Sequence, residues 1–283
     1  MCPANDPASS EETPLVSILI PAYNHAYFRE ALQSALDQTY PNTEIIVCDD
    51  SSDGRIRDVI ANIDGGAGIR YHANENNLGA RDNYLKCFSL AEGVYIKYLN
   101  DDDLLHRDCV QRMVDVLEEY ATVTLVCSRR QLIDHKGNGL PDTAFTHPVV
   151  PRDSIIAGSL ATRRMLEKQI NFIGEPTTAL FRRADIAGVM PDIMSFGGRR
   201  VLANLDVALW LNLLSEGDLA YLVDILSSFR VHGEQEQQKD EVRDLCIAAW
   251  RQMIEDALKT GLLASGGGQT KGQVRPLTLT KSP

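Results

Sequence analysis

The chain has 283 residues, a formal net charge of −11 and 44% hydrophobic residues. This length and composition are typical of a soluble globular protein with one large α/β domain or two smaller ones. The acidic balance excludes nucleic acid as a bulk partner, because no basic field exists to hold phosphate backbones. It does not exclude one nucleotide held by local contacts.

No apolar run approaches the length of a membrane span, and residues 1–12 are polar, without the pattern of a secretion signal. The six cysteines are scattered and form no Cys-x-x-Cys pair. Several of them fall inside apolar segments, where a free thiol behaves as a small hydrophobe. These features predict a cytoplasmic protein without a membrane span, for which peripheral association with a membrane stays open.

The first half of the chain alternates between two apolar patterns. Runs of β-branched and aromatic residues predict strands, and apolar residues at three- and four-residue spacing predict helices. The strands are expected at residues 15–21, 44–48, 69–72, 94–99 and 122–128, and the helices at 27–38, 80–91 and 108–120. This alternation predicts an α/β fold with a mostly parallel central sheet that helices cover on both faces.

The remaining segments are less regular. A polar leader at residues 1–13 is expected to be disordered, and a Gly-rich, basic tail at residues 264–283 is expected to be flexible. Between them, residues 14–130 and 131–263 form two halves of one compact unit. In the second half, helices are expected at residues 154–170, 202–215 and 241–263, and strands at 178–181 and 219–223.

Three consecutive aspartates, Asp101, Asp102 and Asp103, directly follow the strand predicted at residues 94–99. Packed carboxylates raise one another's pKa unless a cation lies between them. Mg²⁺ and Mn²⁺ take carboxylate oxygens and often share them with a diphosphate. The stretch therefore indicates a metal site, and a solvated acidic turn is the alternative.

Polar clusters follow three of the predicted strands, at residues 21–24, 49–53 and 100–103. In a parallel sheet the carboxyl ends of the strands meet at one edge, and ligands bind beyond that edge. We therefore expect the three clusters to lie together and to form a binding site.

Four motifs occur in a fixed order along the first half. They are Val-Ser-Ile-Leu-Ile-Pro-Ala-Tyr-Asn from residue 16, Glu-Ile-Ile-Val-Cys-Asp-Asp-Ser-Ser from 44, Asn-Asn-Leu-Gly-Ala-Arg-Asp-Asn from 76 and Tyr-Leu-Asn-Asp-Asp-Asp from 98. As an ordered set they resemble the inverting GT-A glycosyltransferases of family 2. The resemblance covers about residues 15–130 and extends more loosely to about 232. It implies a Rossmann-like GT-A fold, with a nucleotide-sugar-binding half at 14–130 and a smaller acceptor-binding half at 131–263 that ends in a C-terminal helix.

The resemblance also implies a nucleoside diphosphate sugar as the donor, with UDP or dTDP favoured. Six residues match donor-binding positions: Pro21, Tyr23, Asn24, Asp50, Arg81 and Asp101. Tyr23 is implied to pack against the base, and Asp50 to accept a hydrogen bond from a ring N–H. Guanine offers such an N–H too, so the base stays open. A turn or cap role is the alternative for Asp50.

A divalent cation, Mn²⁺ or Mg²⁺, is implied as well. Asp102 and His232 match its ligands, whereas a purely structural histidine is the alternative for His232. The sequence departs from the commonest family pattern at Asn100, where an aspartate often begins the Asp-x-Asp motif.

The catalytic base is implied at Asp206, within a segment that resembles the Glu-Asp-x-x-x-Trp helix of the family, although Leu205 replaces the first acid. A helix acid without a catalytic role is the alternative. Glu175, Pro176 and Thr177 match a segment near the acceptor side. The implied reaction is a single displacement at the anomeric carbon with inversion, and the acceptor is a glycan, a lipid-linked sugar or a small molecule.

Two rival functions stay open. A nucleotidyltransferase would share the carboxylate–metal site, but it would want a Gly-rich basic loop after the first strand, where this chain has Pro-Ala-Tyr-Asn. A catalytically silent nucleotide-binding module of the same fold is the second rival, because of the substitutions at Asn100 and Leu205.

Overall fold

The computed structural model describes residues 13–233, 240–263 and 273–279, so the expected leader lies outside the described residues except for Thr13. Strands and helices follow one another in this order: β1 (Val16–Ala22), α1 (His25–Leu36), β2 (Thr43–Asp49), α2 (Arg55–Ala61), β3 (Arg70–Ala73), α3 (Ala80–Leu90), β4 (Tyr95–Tyr98), β5 (Leu104–Leu105), α4 (Cys109–Glu119), β6 (Val123–Ile133), β7 (Ser154–Ile156), α5 (Gly158–Lys168), β8 (Ala179–Arg182), β9 (Ser195–Phe196), β10 (Arg199–Arg200), α6 (Leu205–Glu216), β11 (Asp218–Arg230), α7 (Asp240–Thr260) and β12 (Val274–Pro276). Within the described ranges, no helix combines the length and apolar character needed to cross a membrane.

In the described part of the chain, ten strands form one mixed sheet in the order β12-β7-β11-β6-β8-β4-β1-β2-β3, with β5 paired to β11. The strands β4, β1, β2 and β3 are parallel neighbours, and β6 is parallel to β11. Most of the paired residues belong to these parallel neighbours. The predicted α/β fold, with a mostly parallel central sheet flanked by helices, is confirmed.

Alternate residues of β1 pack against different layers of helices. Ile18 and Ile20 lie in a core with residues of α1 and α4, whereas Leu19 lies in a second core with residues of α3, α6 and α7. All three side chains are fully buried. Burial of each such side chain contributes about 1.5–3 kcal/mol to the free energy of unfolding. The two cores therefore cover both faces of the sheet and leave its carboxyl edge for a site.

One antiparallel strand brings a distant segment to this edge. β8 runs antiparallel between β4 and β6, so its first residue, Ala179, lies beside the carboxyl end of β4 and pairs with Cys127 in the middle of β6. The buried ammonium of Lys97 donates hydrogen bonds to the carbonyls of Thr177 (2.6 Å) and Ala179 (3.1 Å) and so fixes the approach to β8. Burial lowers the pKa of Lys97. The segment that precedes β8 therefore reaches the same edge as the acidic loop after β4.

The prediction of one helix at residues 154–170 is wrong at its start. Ser154–Ile156 form β7, which pairs antiparallel with β11, and helix α5 begins only at Gly158. A Cβ atom at Gly158 would lie 1.9 Å from the carbonyl oxygen of Gly217. Glycine is required here because the chain turns from strand to helix against another backbone.

The strand predicted at residues 219–223 is much longer in the structure and spans Asp218–Arg230. The polar residue Asp224, which ends the apolar pattern, lies where the register against β6 shifts between Leu222 and Ile225. Beyond this bulge the strand continues to Arg230, next to the acidic loop.

The prediction of a flexible tail at residues 264–283 is wrong for Val274–Pro276. These residues form β12, which pairs antiparallel with β7, and Leu277 and Leu279 pack against the core. Arg275 donates to the hydroxyl of Thr122 at 3.1 Å. The other tail residues, 264–272 and 280–283, lie outside the described residues.

Truncation after Leu263 should therefore destabilise the protein. Loss of β12 uncovers β7 and exposes the packed surface of Leu277 and Leu279, at a cost of about 1–3 kcal/mol of unfolding free energy. Thermal unfolding followed by circular dichroism should show a Tm several degrees lower. Truncation after Leu279 is the control and should leave the Tm unchanged; equal Tm values for the two truncations would contradict this assignment.

Candidate active site at the carboxyl edge of the sheet

The polar clusters after β1, β2 and β4 meet, as the sequence predicts. The Oδ2 atom of Asp101 accepts hydrogen bonds from the backbone N–H of Tyr23 (2.6 Å) and of Asn24 (2.7 Å). The backbone N–H of Asp50 donates to the carbonyl of Ala22 at 2.8 Å. These bonds join the three strand ends into one edge.

Asp50 is buried and holds the loop at residues 74–79. Its Oδ1 atom accepts from the backbone N–H of Leu78 (2.7 Å) and the amide of Asn74 (2.7 Å), and its Oδ2 atom accepts from the N–H of Gly79 (2.9 Å). A carboxylate has about four acceptor positions, so one position on Oδ2 is left for a ring N–H. The turn role is thus present in the structure, and base recognition stays a prediction.

Three further residues that are predicted to bind the nucleotide-sugar lie in β1 or directly after it. The ring of Tyr23 is 64% exposed beside the edge. The Oδ1 atom of Asn24 accepts from the backbone N–H of Ala26 at 2.9 Å and caps helix α1. Pro21 is a buried residue of β1. Of these side chains, Tyr23 offers the most surface to a ligand.

Arg81, at the start of α3, forms ion pairs with Asp192 and with Asp82 (3.1 Å). Its Nε atom is buried and has no hydrogen-bond partner among the described residues. The ion pair with Asp192 ties the start of α3 to the segment before β9. Contact of Arg81 with base or phosphate stays a prediction.

The two residues that match metal ligands lie side by side. His232 Nε2 is 2.9 Å from Asp102 Oδ2, although 130 positions separate them in the sequence. The ring of Tyr27 lies 5.0 Å from that of His232, between centroids, and the Nε–H of Arg230 donates to the carbonyl of Asp102 at 2.9 Å. The strand β11 therefore delivers His232 to the acidic loop.

Within residues 13–233, 240–263 and 273–279, no group of three His, Cys, Asp or Glu side chains is arranged to hold a metal ion. One carboxylate with one imidazole still fits Mg²⁺ or Mn²⁺, because these ions are commonly bound by one or two protein ligands together with water and substrate phosphates. The donor set of Asp102 and His232 fits a cation that is shared with a diphosphate.

The third aspartate of the acidic stretch has a structural environment. Asp103 is fully buried, and its Oδ2 atom accepts from the hydroxyl of Thr177 (2.7 Å) and the amide of Asn100 (3.0 Å). Its Oδ1 atom accepts from the backbone N–H of Arg230 at 3.1 Å. Burial, together with the charge of Asp102, raises the pKa of Asp103 well above its usual value.

This network explains the unusual residue at position 100. The Asn100 amide donates to the Asp103 carboxylate, and its oxygen accepts from the hydroxyl of Tyr84. An aspartate at this position would place a second carboxylate against a buried one. Asparagine suits this position, because its amide donates to Asp103 while its oxygen accepts from Tyr84.

Asp206 lies in the first turn of α6. Its Oδ1 atom accepts from the backbone N–H of Val207 (2.8 Å), and its Oδ2 atom accepts from the amide of Asn171 (2.7 Å). Burial, with a smaller contribution from the charge of Glu175, raises the pKa of Asp206 to about 6. A carboxylate with this pKa is ionised near neutral pH and can still accept a proton.

Of the acceptor-side residues, Pro176 and Thr177 are buried, and the hydroxyl of Thr177 is bonded to Asp103. Glu175 Oε2 lies 3.0 Å from Arg130 Nε. The sequence reasoning missed Arg130 and Asn171. Arg130 has a usable signal in the sequence, since it is a cation that follows the strand predicted at residues 122–128, as the acids follow the strand predicted at 94–99. Asn171 has no such signal.

A comparison with solved structures identifies the type of fold. The chain superposes on residues 1–349 of S. aureus TarS in complex with UDP-GlcNAc with a TM-score of 0.63 at 17% identity, over 88% of this chain and 70% of that one. The fold is thus of the GT-A type.

The sequence comparisons define the family. The model of Glycosyl transferase family 2 matches residues 17–188, which is more than half of the chain, so the chain belongs to this family. An uncharacterized glycosyltransferase of Rickettsia felis is 29% identical over 253 residues, or 86% of this chain. The putative teichuronic acid biosynthesis glycosyltransferase TuaG of Bacillus subtilis is 28% identical over 223 residues, covering 77% of this chain and 79% of TuaG. The chain spans between 20% and 38% of the lengths of three Rickettsia relatives.

The substitution Asn100→Asp tests the buried network. A carboxylate in place of an amide that lies 3.0 Å from Asp103 Oδ2 should lower the free energy of unfolding by about 1–3 kcal/mol at pH 7. The loss should shrink as the pH is lowered from 7, because the pKa of Asp103 is already raised and its protonation removes the repulsion. Urea unfolding at several pH values measures it.

Asn138→Asp is the matched control for this substitution. The Asn138 amide also donates to an aspartate, Asp134 Oδ2, at 3.0 Å, but at an exposed position. There the same change should cost less than about 0.5 kcal/mol. Equal losses in the two variants would show that burial of Asp103 has no bearing on the choice of asparagine.

Proposed function

We propose that this chain is an inverting glycosyltransferase that moves a sugar from a nucleoside diphosphate to an acceptor hydroxyl by metal-assisted single displacement. The observation that carries the proposal is that residues 171–177 connect the Asp102–His232 pair to Asp206. At one end of this segment Asn171 donates to Asp206, and at the other Thr177 donates to Asp103 beside Asp102. The proposed site for the leaving diphosphate and the proposed base are thus linked by hydrogen bonds to the same short segment.

The donor side supports a uridine or thymidine nucleotide. Tyr23 presents an exposed ring at the edge, and Asp50 has an acceptor position left for a ring N–H. The complexes of TarS with UDP and with UDP-GlcNAc make UDP-GlcNAc the first donor to test. The fold that this chain shares with TarS supports nucleotide binding as the common property.

The electrostatics of the acidic loop support a cation. Burial and the charge of Asp102 raise the pKa of Asp101 to about 7 and that of Asp103 well above its usual value. A divalent cation beside Asp102 would relieve this repulsion. Asp102 and His232 would hold the ion, which when bound supplies positive charge to the leaving diphosphate.

Asp206 is the proposed general base. The amide of Asn171 and the first turn of α6 fix the direction of its carboxylate, which would take the proton from the acceptor hydroxyl as that oxygen attacks. The charges of Glu175 and Arg130 act on the pKa of Asp206 in opposite directions, and the charge of Asp206 in turn raises the pKa of Tyr84 and of Cys246. One base is sufficient, because a single displacement forms no covalent sugar–enzyme intermediate.

The acceptor is proposed to be a glycan, a lipid-linked sugar or a small molecule, as for other members of the family. The cytoplasm is the proposed compartment, because the five cysteines that the structure describes are free thiols. The absence of a Gly-rich basic loop after β1, where the chain has Pro-Ala-Tyr-Asn, speaks against a nucleotidyltransferase.

The proposed cation leads to a first prediction for this function. Mn²⁺ should tighten UDP binding by on the order of tenfold or more, and Asp102→Ala should abolish this gain. Isothermal titration of UDP, with Mn²⁺ and then with EDTA, measures it. Asp64→Ala, at an exposed turn, is the control and should keep the gain. Equal wild-type affinity with Mn²⁺ and with EDTA would rule out the cation.

The base makes a second prediction. Asp206→Asn should lower turnover about 10²- to 10⁴-fold and leave UDP affinity unchanged, because only proton transfer is removed. In the wild type, turnover should rise with pH through about 6, since the carboxylate form of Asp206 accepts the proton. Release of UDP from UDP-GlcNAc measures turnover.

Glu216→Gln, an exposed acid at the other end of α6, is the control for this variant and should keep wild-type turnover. A wild type that binds UDP but releases none from any UDP- or dTDP-sugar would favour the silent binding module. Normal turnover in Asp206→Asn would remove this residue from the base role.

A further inference from the structure

Glu175 carries a buried oxygen without a partner. Only 9% of the residue is exposed, and its Oε1 atom has no hydrogen-bond partner among the described residues. Its Oε2 atom lies 3.0 Å from Arg130 Nε. Arg130 donates no hydrogen bond to any described residue, so this ion pair is its polar contact in the described part of the chain. Buried polar groups in folded proteins are almost always satisfied, so an unpaired carboxylate oxygen points to a ligand.

The position of Glu175 is fixed from both sides. On the N-terminal side, the amide of Asn171 donates both to Asp206 Oδ2 (2.7 Å) and to the carbonyl of Gly174 (3.0 Å). On the C-terminal side, the hydroxyl of Thr177 donates to Asp103 Oδ2 at 2.7 Å. Glu175 therefore lies between the proposed base and the acidic loop. In an in-line displacement, the transferred sugar occupies the space between these two groups.

Arg130 is held in place against the same segment. A Cβ atom at Gly174 would lie 2.6 Å from Arg130 Nη1, and the backbone of Gly174 has φ +107°, which disfavours any other residue. The guanidinium thus packs over the backbone of Gly174 and pairs with the next residue. The direction of both side chains of the pair is constrained before any ligand binds.

We propose that Arg130 and Glu175 together bind hydroxyl groups of the transferred sugar, an inference that rests on the proposed function. The carboxylate oxygen accepts a hydrogen bond and the guanidinium donates one, which matches neighbouring sugar hydroxyls, since each hydroxyl can do both. Glu175 is therefore proposed to bind the sugar of the donor, whereas its sequence match places it near the acceptor.

The same pair selects a neutral sugar. The charge of Arg130 is already balanced by Glu175, and the acids Asp102 and Asp206 lie on either side. The carboxylate of a uronic acid would meet three negative side chains here. Hexoses and N-acetylhexosamines carry no such charge and offer the hydroxyls that the pair requires.

The test is saturation-transfer NMR with UDP-glucose, UDP-galactose, UDP-GlcNAc and UDP-glucuronic acid in the presence of Mg²⁺. In the wild type, both uracil and sugar-ring protons of a neutral donor should receive saturation. In Arg130→Met, the sugar signal relative to the uracil signal should fall severalfold, and the affinity for this donor should fall about tenfold, while UDP affinity stays within about twofold.

Two variants make the result specific. Arg129→Met removes the neighbouring arginine, which pairs with Asp142 at an exposed site, and should leave the sugar signal unchanged. The double variant Arg130→Met with Glu175→Gln removes both charges, so it leaves no buried acid unpaired, and its circular dichroism spectrum checks that it is folded. It should lose the sugar signal as Arg130→Met does.

The outcomes separate this inference from the proposed function. A wild type without uracil saturation by any donor would overturn both. Uracil saturation with an unchanged sugar signal in the folded variants would overturn the inference alone. Preference for UDP-glucuronic acid would overturn the assignment of a neutral sugar.

Discussion

The buried carboxylate of Asp103 is the contact on which the site depends. It accepts hydrogen bonds from Thr177, which precedes β8, from Arg230 at the end of β11, and from Asn100 within its own loop. Each partner lies near a residue proposed to act on substrate. Asp102 precedes Asp103 by one position, and His232 follows Arg230 by two. One buried group thereby sets the spacing of side chains that come from three distant parts of the sequence.

The sequence allowed the parallel half of the sheet and its edge to be predicted, because both follow from local patterns. A β-branched run marks a strand, and in parallel strands the polar residues that follow each run must share one edge. The contacts of Asp101 with Tyr23 and Asn24 realise this geometry. Asp206 was predicted as a site residue from its resemblance to a family helix motif, but its contact with Asn171 was not predicted, since an isolated asparagine in a loop carries no pattern.

The features that could not be predicted depend on pairing over long sequence separations. Glu175 reaches the site because β8 runs antiparallel to β4 and β6. A four-residue apolar run in the sequence does not show whether the strand is parallel or antiparallel to its neighbours. The contact of Arg130 with Glu175 follows only from that pairing. The length of β11 could not be predicted either, because Asp224 interrupts the apolar pattern at a bulge without ending the strand.

The C-terminal strand β12 has a consequence for how the molecule meets its neighbours in solution. An unpaired strand edge is a template on which a second chain can add. The last strand on this side is only three residues long, carries the charged Arg275 and ends in Pro276, whose nitrogen has no hydrogen to donate. In the described part of the chain, this edge of the sheet therefore offers few backbone groups on which a further strand could add.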